Sequence, residues 1–459
     1  MKTFVALAVS IVLVSILFCP MVMAAPSMPA DLQIVQPDPS LPKELSAFFG
    51  KWEWISAPAE FFIIVEKIDE EKASLYVWRS GSWPQGTPLG WERIEAKVIK
   101  DRGKYKLSYG NAQYTLMGEW LITFSTSGSS QLRRVPSELV MEEFMVPAAD
   151  PGINLYVGNK HPQGVSKFPG EKILLFVHGA TYPSEAGFDM KLNGLSWMDY
   201  IARHGYDVYM VDVRGYGKST RPPEMDKPAA DNKPIVRAET AVKDVGAAVD
   251  FILKRRGVSK INLMGWSWGT VIMGWYTAQN NDKVNRLVLY APKWIRKTAS
   301  LMDSGSKLGA YRTVSRDAAK ARWLTGVPED KKADLIPPGW FEAWADVAFA
   351  TDPVGSKQTP QVLRAPNGII QDDREFWGAG KAQYDPAEIR VPIFLPHAEW
   401  DADLPSYMLY AYFAKLTNVP YKRYVEIGEG THTIMMEKNR MQLFQAVQQF
   451  LDERLKPNE

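Results

Sequence analysis

Six short apolar runs, separated by segments of helical pattern, constrain the folding of this chain most. They are "KILLFVHG", "YDVYMVDVRG", "KINLMGWS", "VNRLVLYAP", "VPIFLPHAEWD" and "YKRYVEIGEG". A strand that is apolar along nearly its whole length must be covered on both faces, and helical connections between such strands make them run parallel. Residues 238–256 and 269–279 carry the helical pattern expected of these connections. The preceding runs "EEFMVPA" and "GINLYVGNK" read as a leading hairpin. Between "VNRLVLYAP" and "VPIFLPHAEWD" the order is interrupted. Residues 293–388 are Trp-rich, Pro-broken and helical in pattern, and read as a cap inserted into an α/β domain spanning 139–459.

The chain has 459 residues, more than one ordinary core accommodates. A second domain is expected over 41–136, where the rhythm is β: "GKWEWI", "FFIIVEKI", "ASLYVWR", "WERIEAKVI", "GKYKLSYG", "AQYTLMG", "EWLITFST" and "QLRRV" are punctuated by turn residues. That spacing predicts a small antiparallel barrel or sandwich, an accessory domain with no capped helix. Residues 1–24 read as a signal peptide, with Lys2 as the charged start, an apolar stretch from Phe4 to Met23 and Val22-Met23-Ala24 as the cleavage site. The alternative is an uncleaved N-terminus that associates with the membrane. Pro20 and the small residues after it favour cleavage, and both readings place the folded part outside the cytoplasm, secreted or periplasmic. The only cysteine, Cys19, lies in this segment. A mature chain would then have no disulfide, no cysteine nucleophile and no thiolate metal site. Net charge of +2 and the absence of a basic run with interleaved aromatics argue against a nucleic-acid partner.

The stretch Gly265-Trp266-Ser267-Trp268-Gly269 joins an apolar strand to a helix. A serine on so tight a bend must adopt a strained backbone conformation, which flanking glycines permit by letting strand and helix approach. The strain lifts the hydroxyl above the sheet, next to a helix N-terminus that favours negative charge. A serine hydroxyl attacks only when a base takes its proton and a third group orients the base. There are five histidines, His161, His178, His204, His397 and His432. His432 follows the last strand in "EIGEGTHTIMM" and is the natural base. His161 reads as a turn residue, His204 as a helix C-terminus, His397 as packed within a strand, and His178 as a residue that shapes the loop after its own strand. The acid is expected in "VPIFLPHAEWDADLP", which offers Glu399, Asp401 and Asp403.

Taken together, these motifs resemble the α/β-hydrolase superfamily, over about 142–459 and not over the N-terminal β region. The penultimate strand of that family ends in a pattern like G-x-x-D-x-x-x-P. Asp401 with Pro405 fits it, Ala398 replaces the glycine, and Asp403 is the second choice. The chain order Ser267, Asp401, His432 is the family's order. In "LLFVHGAT" the residue after His-Gly, Ala180, corresponds to one backbone donor of the family's oxyanion hole, and Trp268 to the other. "VDVRGYGKST" matches the family's D-x-R-G-x-G-x-S loop. It also imitates a phosphate-binding loop, but Asp212 stands where the first glycine of that motif belongs.

The resemblance implies an α/β-hydrolase fold with a mainly parallel sheet. It further implies a serine hydrolase that cleaves a carboxylic ester, lactone or lipid ester through an acyl-enzyme, with no cofactor and no metal. Two other readings stay open. Ser-Trp-Gly at the bend is similar to proline iminopeptidases, whose need for acids around a free amino terminus could be met by Glu342, Asp346 or Asp352. A non-catalytic ligand-binding protein on a hydrolase fold is the third. Trp266 and Trp268 beside the serine, and Trp294, Trp323, Trp340, Trp344 and Trp377 in the cap, either line an apolar acyl pocket or pack the cap onto the sheet.

Overall fold

The structure is a computed structural model that describes residues 29, 31–32, 37–38, 40–54, 61–80, 89–126, 128–135, 138–163, 165 and 167–453. The signal segment 1–24, with Cys19 and its cleavage site, lies outside the described residues. The chain divides into two compact units, 1–137 and 138–459, and each has its own hydrophobic core.

The first unit is a closed barrel of strands β1 (Gly50–Trp54), β2 (Phe61–Ile68), β3 (Lys72–Arg79), β4 (Gly90–Asp101), β5 (Lys104–Tyr109), β6 (Ala112–Met117), β7 (Trp120–Ser125) and β8 (Gly128–Val135). Each strand pairs antiparallel with the next, and β1 pairs with β8 to close the ring. Closure removes the free edges that an open sheet would expose. Period-two alternation points Ile63, Val65, Leu75, Val77, Leu107, Leu121 and Leu132 into the core. A short helix, Lys43–Ser46, precedes β1 where the sequence shows none. At four residues with no side-chain cap it is too short to display a period. It buries Leu45, and the indole N–H of buried Trp52 donates to the Phe48 carbonyl at 2.9 Å.

The second unit carries an eight-stranded sheet. Its strands are β9 (Leu139–Pro147), β10 (Asn154–Pro162), β11 (Ile173–Val177), β12 (Asp207–Val211), β13 (Ile261–Trp266), β14 (Val284–Tyr290), β17 (Ile393–Ala398) and β18 (Lys422–Ile427), in the order β18-β17-β14-β13-β11-β12-β10-β9. The six strands from β11 onward are parallel, while β9 and β10 form the antiparallel edge. Every residue of β11, β12, β13 and β17 is buried, as expected of parallel strands covered on both faces. His161 is in strand β10 rather than in a turn, with its ring against Glu142 of β9.

The segment between β14 and β17 is the insert. It contains the helices Arg316–Trp323 and Trp340–Ala350. It also contains an antiparallel ribbon of β15 (Tyr311–Ser315) and β16 (Val362–Pro366), paired from Tyr311↔Pro366 to Ser315↔Val362. The sequence pattern reads this region as helical because each ribbon strand is five residues long and its partner is distant in the chain. The ribbon is held by Arg364, whose guanidinium grips buried Asp352 through Nε and Nη2, and by Arg312, which donates to the Pro366 carbonyl at 2.7 Å.

Because each unit has its own core, a chain beginning at Glu138 and a chain ending at Ser137 are each expected to unfold in a single cooperative transition. Circular dichroism during urea titration checks this, and a non-cooperative or aggregated piece would contradict it.

Candidate active site

The backbone of Ser267 has φ 58° and ψ −119°, a conformation costing a non-glycine residue about 1–3 kcal/mol. Its surroundings leave no relaxed alternative. A Cβ on Gly265 would meet the Gly269 carbonyl oxygen at 2.2 Å, and one on Gly269 would meet the Val177 carbonyl oxygen at 2.6 Å. Strand, bend and helix therefore touch backbone to backbone. The Ser267 N–H donates to the Tyr290 carbonyl of β14 at 3.0 Å, and its own carbonyl accepts from the Thr270 N–H at 2.9 Å. The side chain sits above the C-terminal end of β13, at the start of the helix Trp268–Gln279, and is 7% exposed.

His432 and Ser267 line one cavity, together with Tyr182, Trp266, Trp323 and Trp344. His432 Nδ1 lies 2.7 Å from Asp401 Oδ2, and Asp401 Oδ1 accepts from the Leu404 N–H at 2.8 Å. The His432 carbonyl accepts from the Trp266 indole N–H at 3.0 Å and from the Tyr290 hydroxyl at 2.7 Å. These two bonds tie the histidine loop to β13, which enters the bend, and to its neighbour β14. Asp403 lines the same cavity but is bound to Arg322 instead: both its oxygens accept from Arg322 Nε, at 3.1 and 3.0 Å, and Oδ1 also accepts from Nη2 at 2.9 Å. Glu399 accepts from the Glu429 N–H. Of the three acids in this stretch, Asp401 is the one hydrogen-bonded to His432.

The loop of Ala180 is fixed from two sides. Its carbonyl accepts from the Tyr216 hydroxyl at 3.0 Å and from Arg312 Nη2 at 2.8 Å. Just upstream, His178 Nδ1 donates to the Gly179 carbonyl at 2.7 Å, and Nε2 accepts from the Val213 N–H at 3.1 Å. This second bond requires Nε2 to be unprotonated, so the imidazole is neutral, and complete burial pushes its pKa down to about 4. A Cβ on Gly179 would lie 3.1 Å from the Ser267 Cβ, which measures how closely this loop abuts the serine. Trp268 is the first residue of its helix, so its N–H has no acceptor within the helix. Ala180, Trp268 and Ser267 all line a second, smaller compartment. The Val211–Thr220 loop supports the first: the Asp212 carboxyl accepts from the Ser184 and Lys218 N–H groups, and Arg214 pairs with buried Asp244.

Three residues here carry no sequence motif. Arg312 and Arg322 come from the insert, and burial lowers Arg312 to about 10. Glu437, five residues after His432, is buried and accepts from Thr431 N–H at 3.0 Å, Thr433 Oγ1 at 3.1 Å and Trp323 Nε1 at 2.8 Å. Burial raises its pKa, opposed by those donors. It braces both neighbours of His432 and joins them to a tryptophan of the cavity wall. Among the cap tryptophans, Trp323 and Trp344 line the cavity. Trp294 and Trp377 pack against each other in the core, and Trp340 lies under Arg440. Glu342 and Asp346 are exposed and paired with Lys320 and Arg316, while Asp352 is buried against Arg364. Among the described residues no group of three or more His, Cys, Asp or Glu side chains could hold a metal ion.

A family model described as alpha/beta hydrolase fold matches residues 172–439. Among solved structures, the chain is similar to a serine hydrolase involved in carbazole degradation, at 16% identity over 69% of this chain and 100% of that one, with a TM-score of 0.46. It is also similar to a serine hydrolase of the polyaromatic-hydrocarbon-degrading bacterium Cycloclasticus zankles, at 15% identity over 68% and 98%, TM-score 0.45. A thermophilic esterase from Thermogutta terrifontis aligns at 16% identity over 68% and 98%, TM-score 0.41. A comparison with curated protein sequences finds no match.

Two outcomes follow from this geometry. Asp401→Asn is expected to lower turnover by about 10⁴, because an amide beside His432 Nδ1 favours the wrong imidazole tautomer. Asp403→Asn is expected to cost far less, and steady-state kinetics of the two variants on one substrate compares them. The second outcome is a pH dependence of stability. In the unfolded chain His178 takes a proton near pH 6.5, whereas in the fold it stays neutral down to about 4. Between these values the unfolded chain binds a proton that the folded chain does not, so stability falls as pH drops, by about 3 kcal/mol over the window. In urea unfolding the stability gap between the natural chain and His178→Gln should narrow by that amount from pH 7 to pH 4.

Proposed function

The chain belongs to the alpha/beta hydrolase family, and from that premise we propose that it is an exported serine hydrolase that cleaves carboxylic esters, lipid esters and lactones included, through an acyl-enzyme. The observation that carries this reading is the pairing of a strained Ser267 with His432 in one cavity, His432 being hydrogen-bonded to Asp401. In this reading Ser267 Oγ attacks the ester carbonyl as His432 Nε2 takes its proton, and Asp401 keeps the imidazole oriented and stabilises its charged form. The oxyanion is received by the N–H groups of Ala180 and Trp268, each such donor being worth about 3 kcal/mol in the transition state. His432 then protonates the leaving alcohol and afterwards activates the water that releases the acid. The wall of Tyr182, Trp266, Trp323 and Trp344 suits an apolar arm of the substrate.

Export rests on the apolar run between Lys2 and Ala24. Among the described residues no helix is long and apolar enough to cross a membrane. The iminopeptidase reading is weakened because Glu342 and Asp346 are exposed, Asp352 is buried against Arg364, and none of the three lines the cavity of Ser267 and His432. The non-catalytic reading would leave the backbone strain at Ser267 without a use.

The test is a panel of 4-nitrophenyl esters and a prolyl arylamide, with a fluorophosphonate probe for the nucleophile. Ester turnover and labelling are expected, with the arylamide left intact. Ser267→Ala should abolish labelling and lower turnover by about 10⁶, with the circular dichroism spectrum unchanged. Substantial ester hydrolysis by that variant would falsify the serine mechanism.

A further inference from the structure

A strand on the outside of an antiparallel sheet turns its apolar residues to the core and its polar ones to water. Strand β7, "WLITFS", breaks this rule. Leu121 is buried in the barrel core, and Thr123 shares its inward parity. The outward positions are Trp120, Ile122 and Phe124, which carry more apolar surface than the inward ones. Met117 of β6 pairs with Trp120 across the β6–β7 turn. Ile122 pairs with Thr115, Thr115 with Lys106 and Lys106 with Ile99, so one outward row crosses four strands. Met117 is 59% exposed, Phe124 45%, Ile99 41% and Trp120 37%. With Tyr109 they make five of the twelve exposed large apolar side chains among the described residues, all between 99 and 124. Such side chains scattered singly need no explanation, but a cluster on adjacent strands marks a contact surface.

The same strands are cationic. Residues 97–134 hold seven lysines and arginines against two acids, Asp101 and Glu119, in a chain whose net charge is only +2. Asp101 is paired with Lys106 at 3.0 Å. Glu119 is exposed in the β6–β7 turn, and Glu71 lies beyond β4, where its carbonyl accepts from the Val98 N–H. Arg102, in the β4–β5 turn, and Lys104, which shares the outward face of β5 with Lys106, are exposed and have no acidic partner among the described residues. Antiparallel pairing from β4 to β7 puts the β4–β5 and β6–β7 turns at one end of the barrel. Arg102 and Lys104 therefore sit at the end that also carries Met117 and Trp120. A second copy docked through this face by a two-fold axis would set one cationic surface against its own image. An anionic lipid surface offers what both sets of side chains need: acyl chains for the apolar ones and phosphates for the cations. The ring of Trp120, apolar with one polar edge, suits the boundary between them.

We propose that the outer face of β5, β6 and β7 docks the chain on an anionic lipid surface, with Met117, Trp120 and Phe124 entering the headgroup boundary and Arg102 and Lys104 meeting lipid phosphates. The inference concerns the barrel unit alone and does not depend on the ester-hydrolase reading. It gives the barrel a task, which is to hold the chain at a lipid surface through a folded face rather than through the apolar N-terminal segment.

The test uses the chain from Ala25 to Glu459, which keeps both units and leaves out the apolar leader. It is mixed with vesicles of phosphatidylcholine alone, or of phosphatidylcholine and phosphatidylglycerol in equal parts, and the bound fraction is read by co-sedimentation. Partitioning should be higher by about tenfold or more on the anionic vesicles and should fall as salt is added. Trp120→Ser combined with Phe124→Ser should weaken binding by about tenfold or more. Arg102→Gln combined with Lys104→Gln should reduce the preference for the anionic vesicles. All four positions are exposed, and circular dichroism during urea titration checks that the barrel stays folded. Trp120→Phe covers the case in which the serine pair does not fold. It keeps an apolar ring there, and the quenching of tryptophan fluorescence by lipids brominated in their acyl chains should shrink while binding persists. Equal binding to both kinds of vesicle, no binding to either, or binding that neither pair of substitutions weakens overturns the proposal. So does a lipid-free dimer in sedimentation equilibrium that the serine pair dissociates, because a second copy would then cover this face.

Discussion

The constraint on which the hydrolase unit depends is the backbone of Ser267, held at positive φ between a strand and a helix that touch at Gly265 and Gly269. Strain of this kind persists only when the surroundings over-determine it. The N–H of Ser267 is bonded to Tyr290 in the adjacent strand, and its carbonyl is bonded to Thr270 in the following helix. The contact between Gly269 and Val177 presses the helix onto β11 as well. Three neighbouring strands thus set one side chain, and a methyl group at either flanking glycine would force them apart.

The histidine loop depends on the same strands. The Trp266 indole and the Tyr290 hydroxyl both donate to the His432 carbonyl, so the residues before the bend and beside it also place the imidazole. Glu437 adds a second anchor beneath the loop, through Thr431 and Thr433, and extends it to Trp323 in the insert. The insert is therefore hydrogen-bonded into the site itself. Its ribbon contributes Arg312 to the Ala180 carbonyl, and its helix Arg316–Trp323 contributes Arg322 to Asp403.

The α/β architecture, the antiparallel β unit before it and the bend at Ser267 are legible in the sequence because each is written in short-range pattern, whereas closure of that unit into a barrel rests on the pairing of β1 with β8. Fully apolar five- and six-residue runs report burial on both faces, and period-two runs between turns report barrel strands. Glycines two residues either side of a serine report a close approach. The β15–β16 ribbon was not legible, since its strands are short and pair across about fifty residues. The helix Lys43–Ser46 is too brief to show a period, and His161 stands one residue from the end of β10, where a strand is hard to tell from a turn.

By itself, then, the sequence determined the fold class, the position of the strained serine and the set of acids and tryptophans from which a site could be drawn. Only the tertiary structure decided among members of that set. Asp401 and Asp403 are two residues apart in one turn, yet one meets His432 and the other meets Arg322 from the insert. Trp323 and Trp344 face the cavity while Trp294 and Trp377 face the core. Arg312, Arg322 and Glu437 acquire their places through partners 114 to 132 residues distant or, for Arg322, 81. Periodicity and motif report the conformation of a local stretch, whereas the direction of a side chain at the end of a strand is set by whatever the rest of the chain brings against it.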